Sequence, residues 1–213
     1  MAATPTTDEL LDALSRFDAA LATRAAAVKR SADLVELDEW MRGTLRPAVA
    51  KRTDGALLPE ELFKLMDWKL AHGKWRPRLT TLVRENSDAQ IRAATTQAFA
   101  LLGDDEGDAA KALDRLCKLR GVGPATASAI LALWRPATEP FLSDELVVQG
   151  LGLPKPSYTA SEVKDRWAEL GGAGAFERAC WAWAVEASAK AAPAPKRAST
   201  SGSSAPKKRA RKA

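Results

Sequence analysis

Residues 116–131 read LCKLRGVGPATASAIL, and the fold turns on how this stretch is parsed. Leu113, Leu116 and Leu119 recur at helical spacing, so a first helix ends at Leu119. Gly121-Val122-Gly123 then makes a tight turn, and Pro124 opens a second helix, where its missing N–H costs nothing. Ala127, Ile130, Leu131 and Trp134 pack that second helix against the first. Glycines permit positive φ and let the backbone come very close to another molecule. The free amides at the second helix start, aligned with the helix dipole, suit an anion such as a phosphate. Val122 is expected to point inward and pin the two helices. A plain αα-hairpin with a glycine turn also fits. Two glycines around an aliphatic residue, with Leu before and Thr-Ala after, favour a DNA-binding hairpin. Its contacts would come from Gly121, Val122, Gly123, Ala125 and Thr126.

Helical signals continue on both sides. Thr6-x-x-Glu9, Ser87-x-x-Gln90 and Thr159-x-x-Glu162 each read as a capping box, and Asp33 with Glu36 as a looser one. Leu10, Leu14, Phe17 and Leu21 form an apolar stripe, as do Phe176, Ala179, Cys180 and Trp183. Only Leu146-Val147-Val148 resembles a β-strand, and it is short. The reading is all-α, roughly eight to ten helices with essentially no sheet. Composition changes near Ala191, where Pro, Ala, Ser and Lys take over. One domain over 1–190 and a disordered basic tail over 191–213 follow, since the tail has too little apolar area to offset its ordering entropy.

Charge is distributed as unevenly. The 213 residues carry a formal +5, but eight basic residues and no acidic one follow Ala187, leaving −3 for the rest. A nucleic-acid surface on the body must therefore be a local patch. Lys196-Arg197 and Pro206-Lys-Lys-Arg-Ala-Arg-Lys212 make a cluster of the nuclear-import type, which also binds nucleic acid without specificity. Nuclear localisation, with import machinery as a partner, is the expectation. No apolar run approaches the ~20 residues of a membrane helix, so no membrane partner is expected. Two cysteines, Cys117 and Cys180, and one histidine, His72, make neither a zinc site nor an iron–sulfur cluster. Both cysteines read as buried reduced thiols, and no cofactor is expected.

Three features in fixed order carry a family resemblance. After the hairpin comes the loop RPATEPFLS at 135–143, and then Asp144-Glu-Leu-Val147-Val-Gln149. Hairpin, Gly/Pro-containing loop and aspartate in this order resemble the helix-hairpin-helix superfamily of DNA glycosylases. With DWKLAHGKWRPRL at 67–79 and PFLSDE, the stretch from Leu34 to Gly150 looks like the Amun-type branch of eukaryotic glycosylase-like proteins. The resemblance implies a helix-hairpin-helix glycosylase-like fold, with Asp144 as the catalytic carboxylate. Arg120 departs from the proline usual before the first hairpin glycine. Ala125 stands where bifunctional members carry a lysine, so a monofunctional enzyme leaving an intact abasic site is implied.

The chemistry gives Asp144 a definite task. Breaking an N-glycosidic bond builds positive charge on the sugar, and a carboxylate stabilises it while activating water. A competing role for Asp144 is to cap the next helix, a task Ser143 could share; Glu145 is an alternative carboxylate. Trp68, Lys69, His72, Lys74, Trp75, Arg76 and Arg78 form an aromatic-basic cluster, read as a DNA-contacting surface through Lys69, Lys74 and Arg76. The other reading puts its tryptophans in the core and its cations at a helix end capped by Gly73. The function expected is a nuclear DNA-binding protein that releases a flipped, damaged or modified base. The alternative is a non-catalytic DNA-binding or chromatin-associated protein on the same fold.

Overall fold

The computed structural model describes residues 4–27, 34–103, 107–152 and 168–191. The Thr159 cap, Asp33 and residues 192–213 of the basic tail lie outside them. Among the described residues there are ten α-helices and no strand: α1 (Thr7–Ser15), α2 (Phe17–Ala27), α3 (Leu34–Glu39), α4 (Arg46–Ala50), α5 (Pro59–His72), α6 (Arg78–Val83), α7 (Asp88–Leu102), α8 (Ala109–Leu116), α9 (Pro124–Trp134) and α10 (Ala173–Ala191). The last helix runs through Ala191, one residue past the boundary read from composition.

Two of the helices start where the side chains dictate. Thr6 and Ser87 accept the amides of Glu9 and Gln90, whose side chains accept the cap amides in return. Asp108 caps α8 through the Lys111 amide at 2.9 Å. The stripe from Leu10 to Leu21 spans two helices, because the chain breaks at Arg16 between α1 and α2. There Arg16 makes a paired contact with Glu186 of α10, at 2.8 and 2.9 Å. Residues 145–150, the β-like run included, form a single π-helical turn that buries Leu146 and Val147 and exposes Val148. A strand would need a pairing partner, and none of the described residues forms one.

One large apolar cluster joins α2, α3, α5, α7, α8 and α9. A smaller one joins α1, residues 142–147 and the start of α10. Helix α10 belongs to both, with Trp181 in the first and Phe176, Ala179 and Cys180 in the second. An aromatic group anchors the C-terminal end of α5. The His72 ring stacks on Trp181 at 4.3 Å and 18°, while Trp68 and Phe141 lie 4.9 and 5.7 Å from His72. Trp68 Nε1 donates to Asp38 at 3.1 Å, and Trp181 Nε1 donates to the His72 carbonyl at 3.2 Å.

Helices α8 and α9 pack together across the turn at 117–123. The two hairpin glycines do different work. Gly121 has φ +76, and a Cβ there would lie 2.8 Å from the Val83 amide nitrogen and 3.0 Å from Leu82 Cβ. It lets the turn lie against α6. Gly123 has an ordinary φ of −106, with nothing within 4 Å of a Cβ position. The expectation of special backbone freedom at both glycines is therefore met at the first alone. Val122 is buried between them. Asn86 clasps the turn, donating to the Val83 and Arg120 carbonyls at 2.8 and 2.9 Å and accepting the Arg120 amide at 2.8 Å.

Substitution should separate the two glycines. Gly121→Ala combines a left-handed backbone, about 1–2 kcal/mol, with overpacking against α6, and should lower unfolding free energy by ~2–4 kcal/mol. Gly123→Ala should change it by less than about 1 kcal/mol, because the freedom removed from the unfolded chain is offset by a poorer N-cap for α9. Urea denaturation of both variants checks this; equal losses would contradict the assignment.

Candidate functional site

The aromatic group sets the position of everything on the surface above it. Helix α5 ends at His72, and the chain leaves through Gly73, whose amide donates to the Lys69 carbonyl at 3.1 Å. Trp68 and His72 point into the core and are fully buried, whereas Lys74, Trp75, Arg76 and Arg78 are exposed. The cluster thus divides, with Trp68 and His72 in the core, as the helix-end reading has it for Trp68, and Trp75 with the cations at 74, 76 and 78 on the surface. Trp75, flanked by two cations, leaves 51% of its surface in solvent.

Phe141 packs against Trp68 at 5.3 Å and carries the following residues toward the same place. Ser128 of α9 fixes that segment: its hydroxyl accepts the Leu142 amide at 3.0 Å and donates to the Ala125 carbonyl at 3.0 Å. Ser143 then caps the π-helical turn, accepting the Leu146 amide at 3.1 Å. Asp144 makes no cap bond. Its carboxylate instead reaches Lys74, with Oδ2 and Nζ 3.0 Å apart, the two side chains 39% and 74% exposed. At such exposure the pair adds little to stability.

These segments meet in one cleft of about 420 Å³, partly open to solvent, lined by Lys69, Gly73, Lys74, Arg76, Ala125, Phe141, Ser143, Asp144 and Glu145. Lys69, Lys74, Arg76, Ala125 and Asp144 were each singled out in sequence, from three separate stretches. Gly121, Val122, Gly123 and Thr126 do not line the cleft. Thr126 is buried and its amide donates to the Gly123 carbonyl, while the Val122 amide donates to Leu119. The amides of Gly121, Gly123 and Ala125 have no acceptor among the described residues.

The electrostatics of the cleft are uneven. The Lys69 side chain is half-buried and makes no hydrogen bond or ion pair among the described residues. Burial pushes its ammonium below the usual lysine range; Arg76 adds to that and Asp144 opposes it. Glu145 has one carboxylate oxygen, Oε2, buried without a hydrogen-bond partner. Among the described residues no group of three or more His, Cys, Asp and Glu side chains is placed to hold a metal ion. Cys180 is buried and Cys117 half-buried, both as free thiols. No helix of the described residues is long and apolar enough to cross a membrane.

Phe141, Ser128 and Asn86 were missed in sequence. Each acts through a partner distant along the chain, and no local pattern marks such a residue. Comparison with family models, with curated proteins and with solved structures returns no match.

The division of labour between the neighbours 143 and 144 is testable. Ser143→Ala removes the cap and should cost about 1 kcal/mol of unfolding free energy. Asp144→Ala, losing only an exposed ion pair, should stay within about 0.5 kcal/mol of the parent. Thermal and urea unfolding of the two variants distinguish the roles; the opposite ranking would make Asp144 the cap.

Proposed function

We propose that this chain is a nuclear DNA-binding protein of the helix-hairpin-helix glycosylase type, releasing a flipped, damaged or modified base by hydrolysis. The observation that carries the reading is the convergence, in one cleft, of the start of α9, the cations of the α5 exit and the Asp144 carboxylate. Gly123 adds to it. Its φ is ordinary and its Cβ position is empty, so neither backbone strain nor packing requires a glycine at this N-cap of α9. A phosphate approaching the unspent amides of Gly123 and Ala125 would have such a use.

Lys74 and Arg76 would hold neighbouring phosphates, and Trp75 offers a face on which a base can stack. Extruding a base costs a few kcal/mol, least for a damaged or mismatched one, which is itself a source of selectivity. With the base in the cleft, Asp144 would face the sugar, oppose its developing positive charge and activate a water. Lys74 would then exchange Asp144 for a DNA phosphate, freeing the carboxylate as substrate binds. Ala125 supplies no amine from the hairpin, so water is the nucleophile of base release.

A second reading has its own support. The Lys74–Asp144 ion pair occupies the carboxylate, as would suit a protein that binds DNA without acting on it. Duplexes each carrying one damaged or modified base, assayed for abasic-site formation, decide between the two. Base release by the parent protein, reduced about 100-fold or more in Asp144→Asn with duplex affinity retained, is the expected result. Retained binding without release from any duplex would leave the binding reading.

Binding has its own signature. Lys74→Ala and Arg76→Ala should each reduce the log–log salt slope of duplex affinity by about 0.9, one phosphate contact apiece. Gly123→Leu should weaken binding by about tenfold or more, roughly 1.4 kcal/mol, with helicity and melting unchanged. Full affinity in a folded Gly123→Leu protein would exclude the hairpin from the interface.

A further inference from the structure

Arg120 precedes the first hairpin glycine, and the fold uses its backbone rather than its side chain. Asn86 accepts the Arg120 amide at 2.8 Å and donates to its carbonyl at 2.9 Å. Gly121 then lies against α6, and Val122 is buried, so the turn keeps its place without the guanidinium. Any residue with a backbone N–H would satisfy Asn86. The Arg120 side chain reaches out instead, 64% exposed, with Nη2 2.8 Å from Oε2 of Glu85, itself 41% exposed. An ion pair so open to water adds little to stability. It does hold the guanidinium beside a turn whose Gly121 and Gly123 amides have no acceptor among the described residues.

The surroundings of the turn carry further cations. Lys118 is exposed two residues before Arg120, and Arg84 is exposed one residue before Glu85. Helix α6 links this place to the cleft. It begins at Arg78, two residues after the cleft cation Arg76, and ends two residues before Glu85. Its six residues span roughly 9 Å, and Gly121 lies against them at Leu79, Leu82 and Val83. Arg120 therefore stands at the end of α6 remote from the cleft cations, with the hairpin turn between.

We propose that Arg120 contacts a phosphate of duplex DNA at this end of α6, and that Glu85 occupies the guanidinium until the duplex arrives. The inference rests on the DNA-binding reading and is independent of base release. A phosphodiester offers two oxygens to the planar guanidinium fork, so the exchange of carboxylate for phosphate keeps the charge matched. No covalent bond is made or broken. The duplex then meets the chain at three places: the cations of the α5 exit, the amides at the start of α9, and Arg120. On a body that is acidic as a whole, Glu85 also keeps this cation neutralised when no duplex is bound.

The test uses the full chain and a short undamaged duplex, with affinity measured across salt concentrations. Every variant keeps the tail, so a difference in slope isolates the substituted residue. Arg120→Gln should weaken binding about tenfold and lower the log–log salt slope by about 0.9, with melting unchanged. Arg120→Lys should keep most of the slope, because the charge remains. Glu85→Gln should raise affinity about two- to fivefold, a gain that largely disappears in the Glu85→Gln/Arg120→Gln double variant. Arg16→Gln, which breaks the ion pair with Glu186 of α10, should leave the slope as it was. A slope unchanged in Arg120→Gln overturns the phosphate contact. A Glu85→Gln gain that persists in full without Arg120 overturns the exchange. Both outcomes leave the DNA reading intact, whereas a parent chain that binds no duplex at low salt overturns this inference and that reading together.

Discussion

The stack of the His72 ring on Trp181 ties the end of α5 to α10, and the cleft exists because of it. The imidazole is fully buried, with Trp68 and Phe141 on its other sides, and neither ring nitrogen finds a hydrogen-bond partner. Its Nε2 lies 3.4 Å from Glu177, too far for a strong bond. Burying unpaired polar groups costs free energy, so the ring contacts and the two indole N–H bonds must outweigh that cost. They do so where α5 must stop, and the stop delivers Lys74, Trp75 and Arg76 to the surface. Phe141 belongs to the same group, which explains why Asp144, three residues on, arrives beside Lys74.

The hairpin turn contributes through backbone rather than side chains. Gly121 is required by the fold, which presses α6 against it, while Gly123 is free of any such demand. Asn86 holds the turn by two bonds to the Arg120 backbone and a third to the Val83 carbonyl of α6, so the amides at the start of α9 are presented on a fixed frame. Ser128 couples that frame to the opposite wall of the cleft, through Leu142. A site proposed to meet a phosphate and a sugar at once needs such coupling, because small displacements between binding and reacting groups weaken both.

Within the cleft, several groups sit in states that stability alone would not select. Lys69 is partly desolvated without a direct ion pair, and Glu145 buries an oxygen without a donor. Since folding depresses the Lys69 pKa, the unfolded chain binds that proton more tightly. The amine therefore opposes folding below its ordinary range, and the opposition fades as pH rises through it. Costs of this kind cluster where a ligand or a reaction supplies the missing partner. The neighbouring Ser143 shows the opposite economy, its hydroxyl spent on a cap and its side chain out of solvent.

Local patterns determined much of this molecule. Helical periodicity gave the all-α architecture, the caps at Thr6 and Ser87 located two helix starts, and Gly121 to Pro124 marked the turn between α8 and α9, because each depends on residues a few positions apart. The aromatic-basic cluster singled out Lys69, Lys74 and Arg76, the hairpin singled out Ala125, and the family resemblance pointed to Asp144. It left open whether Asp144 or Ser143 makes the cap, because both have a suitable oxygen and only geometry chooses between them. It also left open which members of the 68–78 cluster face inward. That depends on Trp181, more than a hundred residues away, whose contact no periodicity encodes. The meeting of the five residues in one cleft was likewise decided by tertiary packing. They lie on three stretches of chain, and only the burial of His72, Trp68 and Phe141 against one another brings those stretches to a common surface.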